Sequence, residues 1–228
     1  MTETPTQRLT FPVLVGLVLA LFGFPLGRIL LNNLPGLLSS QSFFQVYKWL
    51  LAGALLILVV AVERQPLSSI GVRRPEGWDV WIGFVVGVIC FFTIPVMIAV
   101  VGWVGLEPGW ATNGSQELGI EALLFSLFIG ITAGITEEIT YRGYALEHIE
   151  SLTNSVWFAG GVTAFIFIII HYGSHDIGGL LVITPLTIIL TAAYVWRRNI
   201  LIPIIGHVFI NGVGTVVAIL SLILSSLS

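Results

Sequence analysis

The chain has 228 residues, of which 56% are hydrophobic and only 9% are charged. Soluble domains carry about 25% charged residues, so this composition excludes an ordinary soluble fold and indicates a membrane protein. The net charge of −3 and the absence of a basic cluster exclude an obvious nucleic-acid partner. Cys90 is the only cysteine, so the chain has no intramolecular disulfide.

The hydrophobic residues fall into runs of about 20, the length that crosses the hydrocarbon core of a bilayer. Pro, Gly, Asn and Ser mark the connections between them, and none is long enough to separate two domains. We therefore predict an all-α fold, one polytopic helical membrane domain over residues 1–228 with about seven transmembrane helices. The first run has no small-residue cleavage site after it, and we expect it to remain as an anchor. The predicted spans are roughly 10–31, 43–62, 79–104, 121–147, 155–172, 178–196 and 200–226.

The distribution of positive charge predicts how the chain is oriented. With seven spans, the N-terminus and the connections after spans two, four and six share one side. The opposite connections contain no Lys or Arg, although Arg28 and Lys48 lie near that face within spans. The positive-inside rule then predicts a cytoplasmic N-terminus. The arginines on the cytoplasmic side are Arg8, Arg64, Arg73, Arg74, Arg197 and Arg198.

Two adjacent acids, Glu137 and Glu138, follow the apolar run of the fourth span. Ionisable groups at membrane depth are costly, so they usually have partners and mark function. Arg142 is four residues after Glu138, a spacing that predicts an ion pair on one helix face. Glu137 lies about 100° away around the helix, so one glutamate can be structural while the other keeps a free carboxylate for proton transfer. The alternative is that all three residues lie at the membrane surface, on a helix end.

The fifth and seventh spans each contribute a polar pair at helical spacing. His171 follows an apolar run, with Phe167 one turn before it, and His207 is one turn before Asn211. A histidine at the end of a helix is commonly a cap or an interfacial group. His207 and Asn211 are equally suited to hydrogen bonding between helices.

The depth of these residues gives further information. If the chain turns near residues 152–154, Glu137 and His171 both lie about 24–27 Å from the turn and are level with each other. His207 follows its own turn by about eight residues. We therefore predict a site at modest depth below the cytoplasmic face. The segment after His171 must then lie partly within the membrane, where it would line a polar cavity.

A carboxylate, two histidines and an amide together suggest hydrolysis. The carboxylate would act as a general base toward water and pass the proton to the leaving amine. A histidine would orient the water, and an Asn N–H would stabilise the oxyanion. The same groups could alternatively hold a divalent metal such as zinc, which acidifies a bound water. The HExxH motif of soluble metalloproteases is absent from the chain.

Three motifs carry a family resemblance: Glu-Glu-x-x-x-Arg, Phe-x-x-x-His and His-x-x-x-Asn, in that order on separate apolar helices. This set resembles the CPBP (Abi) family of intramembrane proteases. The family includes the type II CAAX prenyl endopeptidases and bacterial proteins linked to bacteriocin immunity. The resemblance covers roughly residues 120–215. Its motif residues are Glu137, Glu138, Arg142, Phe167, His171, His207 and Asn211.

The resemblance implies a role for each motif residue. Glu137 would be the base that activates water, helped by His171. His207 and Asn211 would bind the oxyanion. Glu138 with Arg142 would support the site. No cofactor is required by these roles, and the metal alternative, with Glu137, His171 and His207 as ligands, stays open because the family has been described both as metal-dependent and as glutamate-dependent.

The function that we expect is an intramembrane endopeptidase in a prokaryotic plasma membrane, acting near the cytoplasmic face. Its partners would be membrane lipids and a peptide or membrane-protein substrate, which is lipidated in the case of the prenyl endopeptidases. The alternative is a non-catalytic immunity or scaffold protein of the same fold. A transporter is a third hypothesis, but no pair of broken spans in matching halves indicates the inverted repeats typical of that class.

Overall fold

The structure is a computed structural model that describes residues 9–34, 36, 40–109, 119–172 and 174–227. Within these ranges the chain forms seven long helices in succession, a short 3₁₀ helix over Leu67–Ile70, and no strand. Six of the seven are long and apolar enough to cross a membrane, whereas α5 is shorter, at 15 residues. The helices are α1 Phe11–Asn32, α2 Gln41–Val62, α3 Asp79–Trp103, α4 Ile120–Thr153, α5 Val156–Ile170, α6 Ile177–Arg197 and α7 Leu201–Leu227.

The prediction of an all-α polytopic membrane protein is confirmed. The largest difference in the boundaries is at α4, which continues to Thr153 although its span was predicted to end at 147. The segment of α4 after Arg142 is helical and largely buried within the protein. His148 and Ile149 in this segment are inaccessible because they pack into the bundle.

Short polar side chains fix where several helices begin. The Ser40 hydroxyl accepts a hydrogen bond from the backbone N–H of Phe43 at the start of α2, and Ser155 does the same for Phe158 at the start of α5. The Asp176 carboxylate accepts one from Gly179 in the first turn of α6. Such N-caps satisfy N–H groups that have no partner within the helix.

Helix α4 changes its hydrogen-bonding pattern directly after the two glutamates. It is α-helical over Ile120–Glu138, π-helical over Ile139–Leu146 and α-helical again over Glu147–Thr153. Single π-helical turns are frequent at functional sites because they redirect side chains. The π-helical segment is almost completely buried, including the aromatic ring of Tyr141.

One end of the bundle is held by a large apolar cluster and by ion pairs. We call it the arginine-rich end; it contains residues 63–78 and 198–200. Arg198 pairs there with Glu147 at 2.9 Å, and Arg197 pairs with Asp79 at 2.9 Å. The cluster joins α1, α2, α4 and α6 and includes Val13, Leu17, Val59, Ile70, Tyr144, Tyr194 and Ile200.

Small residues let α7 approach α4 closely. A Cβ atom placed on Gly134 would lie 2.6 Å from Cγ2 and 2.9 Å from the backbone nitrogen of Val208. A Cβ atom on Gly130 would lie 2.9 Å from the Cβ of Asn211. Glycine is used at membrane helix contacts for this reason. The contact brings the polar face of α7 against the two glutamates of α4.

Candidate active site

The two glutamates of α4 and their arginine lie inside the bundle. Glu137 is 6% exposed, Glu138 is 0% exposed and Arg142 is 1% exposed. A charged group is rarely buried to this extent unless it is paired. These three residues also do not lie on a helix end, since α4 continues to Thr153.

Glu138 forms the centre of a hydrogen-bonded group. Its Oε1 atom accepts from Arg142 Nη1 at 2.8 Å, which confirms the ion pair predicted from the spacing of four residues. The same oxygen lies 2.7 Å from His207 Nδ1. An ionised carboxylate can only accept, so Nδ1 carries the hydrogen and the Nε2 atom of His207 is left for another partner. The guanidinium of Arg142 also lies 4.5 Å from the centre of the Phe167 ring.

Glu137 has a partner that the sequence did not predict. Lys48 Nζ, from α2, lies 2.6 Å from Glu137 Oε1, and the side chains are 9% and 8% exposed. One carboxylate oxygen of Glu137 is therefore occupied by Lys48, and Oε2 is not part of this contact. A lone lysine within an apolar span was the available signal, because such a charge needs a counter-ion. Spacing alone could not say which acid supplies it.

His171 is both a helix cap and a wall of the cavity. It follows the last residue of α5, and its Nδ1 atom lies 2.7 Å from the carbonyl oxygen of Phe167. A carbonyl oxygen only accepts, so Nδ1 carries the hydrogen and Nε2 of the neutral ring is an acceptor. The ring of Phe167 supports the imidazole, with 4.6 Å between ring centres.

Asn211 is one turn beyond His207 on α7. Its side-chain amide donates to the carbonyl oxygen of Gly130 in a long hydrogen bond of 3.4 Å. An amide nitrogen has two hydrogens, so a second N–H remains available beside the cavity.

Two cavities meet at Glu137. The first has a volume of about 500 Å³ and is lined by four of the six predicted site residues, Glu137, His171, His207 and Asn211. The second, of about 610 Å³, shares Glu137, His171 and Lys48 with the first. Glu138 and Arg142 do not line either cavity; they lie behind His207 and hold it. The arrangement can place a small molecule or a backbone carbonyl between an acid and two imidazoles.

The cavity wall contains a further histidine that the sequence reasoning did not select. His175 lies between α5 and α6 and lines the first cavity, with 5.7 Å between its ring centre and that of His171. Burial lowers the pKa of His175, and the nearby His171 lowers it further, while Asp176 acts in the opposite direction. His175 is therefore uncharged near neutral pH.

A metal site would need several ligand side chains grouped around one point. Among the residues that the structure describes, no three His, Cys, Asp or Glu side chains are grouped as ligands of one ion. The Lys48 ammonium on Oε1 of Glu137 would also repel a metal cation at that oxygen. The set Glu137, His171 and His207 therefore does not fit a metal site.

The site lies well inside the bundle. Glu147 pairs with Arg198 of the arginine-rich end. Glu138 lies nine residues before Glu147, which corresponds to at most about 13 Å along the helix. From the other end, Lys48 follows Ser40 by eight residues, or about 12 Å. The second cavity extends toward this opposite end, where it is lined by Asn32 and Gln41.

Fold and site together define a polytopic helical membrane protein with a buried acid and histidine site. Residues 119–213, which contain all three motifs, match the family model described as type II CAAX prenyl endopeptidase Rce1-like. Over this segment the chain is therefore similar to the type II CAAX prenyl endopeptidases. Helices α1 to α3, including Lys48, lie outside the match. No curated protein and no solved structure shows a significant match to the chain.

Proposed function

We propose that the protein is an intramembrane endopeptidase in which Glu137 activates the water that attacks a peptide bond. The observation that carries the proposal is the convergence of Glu137, His171, His207 and Asn211 on one cavity. General acid and base groups must lie within hydrogen-bond reach of the reacting atoms, and one cavity of this size can hold a water and a carbonyl group among them.

In the proposed reaction, a water molecule donates hydrogen bonds to Glu137 and to Nε2 of His171. Glu137 takes one proton as the water oxygen forms a bond to the carbonyl carbon. The C–N bond then breaks, and Glu137 returns the proton to the leaving amine. Lys48 holds Oε1, so the second carboxylate oxygen is the proposed base.

The oxyanion of the tetrahedral intermediate is proposed to face α7. The free N–H of Asn211 and a protonated Nε2 of His207 would donate to it. Glu138 supports this role because its carboxylate stabilises the positive charge of a protonated His207 through the 2.7 Å contact at Nδ1. Arg142 fixes the orientation of that carboxylate.

The substrate is proposed to be a peptide or a membrane protein. Like the substrates of the CAAX prenyl proteases, it would be cut within the membrane. We propose that the arginine-rich end faces the cytoplasm of a prokaryotic cell, because its arginines fit the positive-inside rule. The bond that is cut would then lie about 13 Å inside the cytoplasmic end, and the second cavity would continue away from it.

The test compares cells that produce the wild type, Glu137→Ala or His171→Ala, with mass spectrometry of the new termini of membrane proteins. We expect a set of termini to disappear in both variants, since loss of a general base costs about 10²- to 10⁴-fold in rate. Glu121→Gln is the control, because Glu121 is an exposed acid in the first turn of the same helix.

Unchanged termini in Glu137→Ala cells would contradict the proposal. If the double variant at Glu137 and His207 also still protected cells or bound its partner as the wild type does, the non-catalytic immunity or scaffold function would replace the proposed protease function. Both variants must first be shown to insert and to accumulate at the wild-type level.

A further inference from the structure

The second cavity is formed largely by α1 and α2, which lie outside the segment that matches the family. It touches the proposed base directly, because Glu137 and Lys48 line both cavities. A peptide held with its scissile bond at Glu137 therefore has a path into this second cavity.

The charges that face the second cavity do not balance. The charged residues that line it are Arg28, Lys48 and Glu137. Lys48 and Glu137 neutralise each other at 2.6 Å. Arg28 is left with a neutral partner, the Gln41 side chain, whose oxygen accepts from Nη1 at 2.6 Å. Among the described residues, no carboxylate forms an ion pair with Arg28.

Arg28 and Lys48 both contact the ring of Phe44, and this sets an upper limit on the distance from Arg28 to the proposed base, Glu137. The Arg28 guanidinium carbon lies 5.0 Å from the centre of this ring, and Lys48 Nζ lies 5.6 Å from the same point. Lys48 Nζ is in turn 2.6 Å from Glu137. Placed end to end, these distances limit the separation between Arg28 and Glu137 to about 13 Å.

We infer that Arg28 forms a carboxylate-binding subsite for the substrate peptide, a conclusion that rests on the proposed function. Arginine presents a planar fork of donors that matches a carboxylate. An extended peptide covers about 3.3–3.6 Å per residue. At this spacing, an extended peptide that spans the distance from Glu137 to Arg28 places the recognised carboxylate about three or four residues from the bond that is cut. This carboxylate belongs either to the C-terminus of the peptide or to an acidic side chain.

The experiment uses the purified full chain and a pool of short hydrophobic peptides in three matched forms. One form has a free C-terminal carboxylate, one is amidated and neutral, and one is amidated with an internal Asp. Bound peptides are recovered and counted by mass spectrometry for the wild type, Arg28→Gln, Arg28→Lys and the control Arg74→Gln. Arg74 is an exposed arginine of the arginine-rich end.

We expect the wild type and Arg74→Gln to enrich one or both carboxylate forms about tenfold or more over the neutral form. Arg28→Gln should lose this preference, and Arg28→Lys should keep part of it, because lysine retains the charge without the fork. The form that is enriched identifies the source of the carboxylate. Equal recovery of all three forms by the wild type, no recovery of any form, or an unchanged preference in Arg28→Gln would overturn the subsite.

The same pool separates the subsite from the proposed function. Incubation with the wild type and with Glu137→Ala, followed by a search for new peptide fragments, measures hydrolysis alone. Fragments without a carboxylate preference would refute the subsite and keep the peptidase. A carboxylate preference without fragments would keep the subsite and refute the peptidase.

Discussion

Lys48 and Glu137 neutralise each other inside the bundle, where an unpaired charge is costly. Removing one member of a buried pair leaves the other without compensation, which destabilises proteins by about 3–5 kcal/mol. We therefore predict that Lys48→Met lowers the free energy of unfolding by about this amount, measured by thermal or denaturant unfolding in detergent.

The double variant Lys48→Met with Glu137→Gln should recover most of the lost stability, because neither residue then carries an unpaired charge. The control is Arg73→Gln, which removes an exposed cation at the other end of the bundle. If the double variant were no more stable than Lys48→Met, the pair would not be the source of the effect.

Glu63, which follows α2, connects this helix to the buried tip of α4. Its carboxylate accepts from the Tyr144 hydroxyl at 2.5 Å and lies 2.9 Å from His148 Nε2. Burial raises the pKa of Glu63, but the hydrogen bonds from His148 and Tyr144 and the charge of His148 outweigh this, so the pKa lies below its usual value of 4.5.

This direction sets the sign of a pH dependence. A carboxyl whose pKa is lower in the folded state stabilises the protein above its unfolded pKa and loses this effect as the pH falls through the folded value. We predict that the difference in melting temperature between wild type and Glu63→Gln is largest near pH 5 and decreases progressively below about pH 4. A difference that stayed constant down to pH 3 would contradict the prediction.

At the residue scale, the sequence predicts pairs within a helix and fails for pairs between helices. The contact of Glu138 with Arg142 follows from their spacing. The contacts of Glu137 with Lys48 and of His207 with Glu138 join residues 89 and 69 positions apart. They depend on how the helices rotate and pack, and no local pattern records that.

At the scale of whole elements, the close contact of α4 with α7 positions His207 and Asn211. Because a side chain on Gly134 would collide with the backbone of Val208, we predict that Gly134→Val separates the two helices. Overpacking of this kind costs about 1–3 kcal/mol. The rate of hydrolysis should fall by more than the lost stability accounts for, because His207 would move away from the cavity.

The matched control for this change is Gly161→Val in α5. A Cβ atom on Gly161 would meet no atom within 4 Å, so this variant adds the same side chain without a collision. Unfolding curves and the appearance of cleaved termini should both be measured. Equal effects of the two substitutions would contradict the role assigned to the helix contact.

The spans themselves were predictable because hydropathy and length determine them, but the form of α4 was not. The π-helical segment has only eight residues, too few for its hydrophobic pattern to differ from that of an α-helix. Its hydrogen-bonding pattern depends on the helices that pack against it. The burial of the last turns of α4 was also not predictable, because their polar residues have partners elsewhere in the chain, such as Glu63 for His148.

At the scale of the whole molecule, the orientation in the membrane can be tested with single cysteines. Cys90 is buried, so the background of labelling by an impermeant maleimide should be low. We predict that Arg74→Cys reacts only after the cells are opened, since the arginine-rich end is proposed to be cytoplasmic. Asn32→Cys, at the other end, should react in intact cells. The reverse pattern would invert the proposed topology.

The 89 residues between Lys48 and Glu137 also constrain how the protein is made. At about 5–20 residues per second, a ribosome needs roughly 4–18 s to add the acid after the lysine. Throughout this interval α2 carries a charge that costs about 2.5–3.5 kcal/mol at the centre of a bilayer. Arg142 has no such delay, because Glu138 enters on the same helix. The insertion machinery must therefore shelter α2, or hold it near the surface, until α4 arrives with its counter-ion.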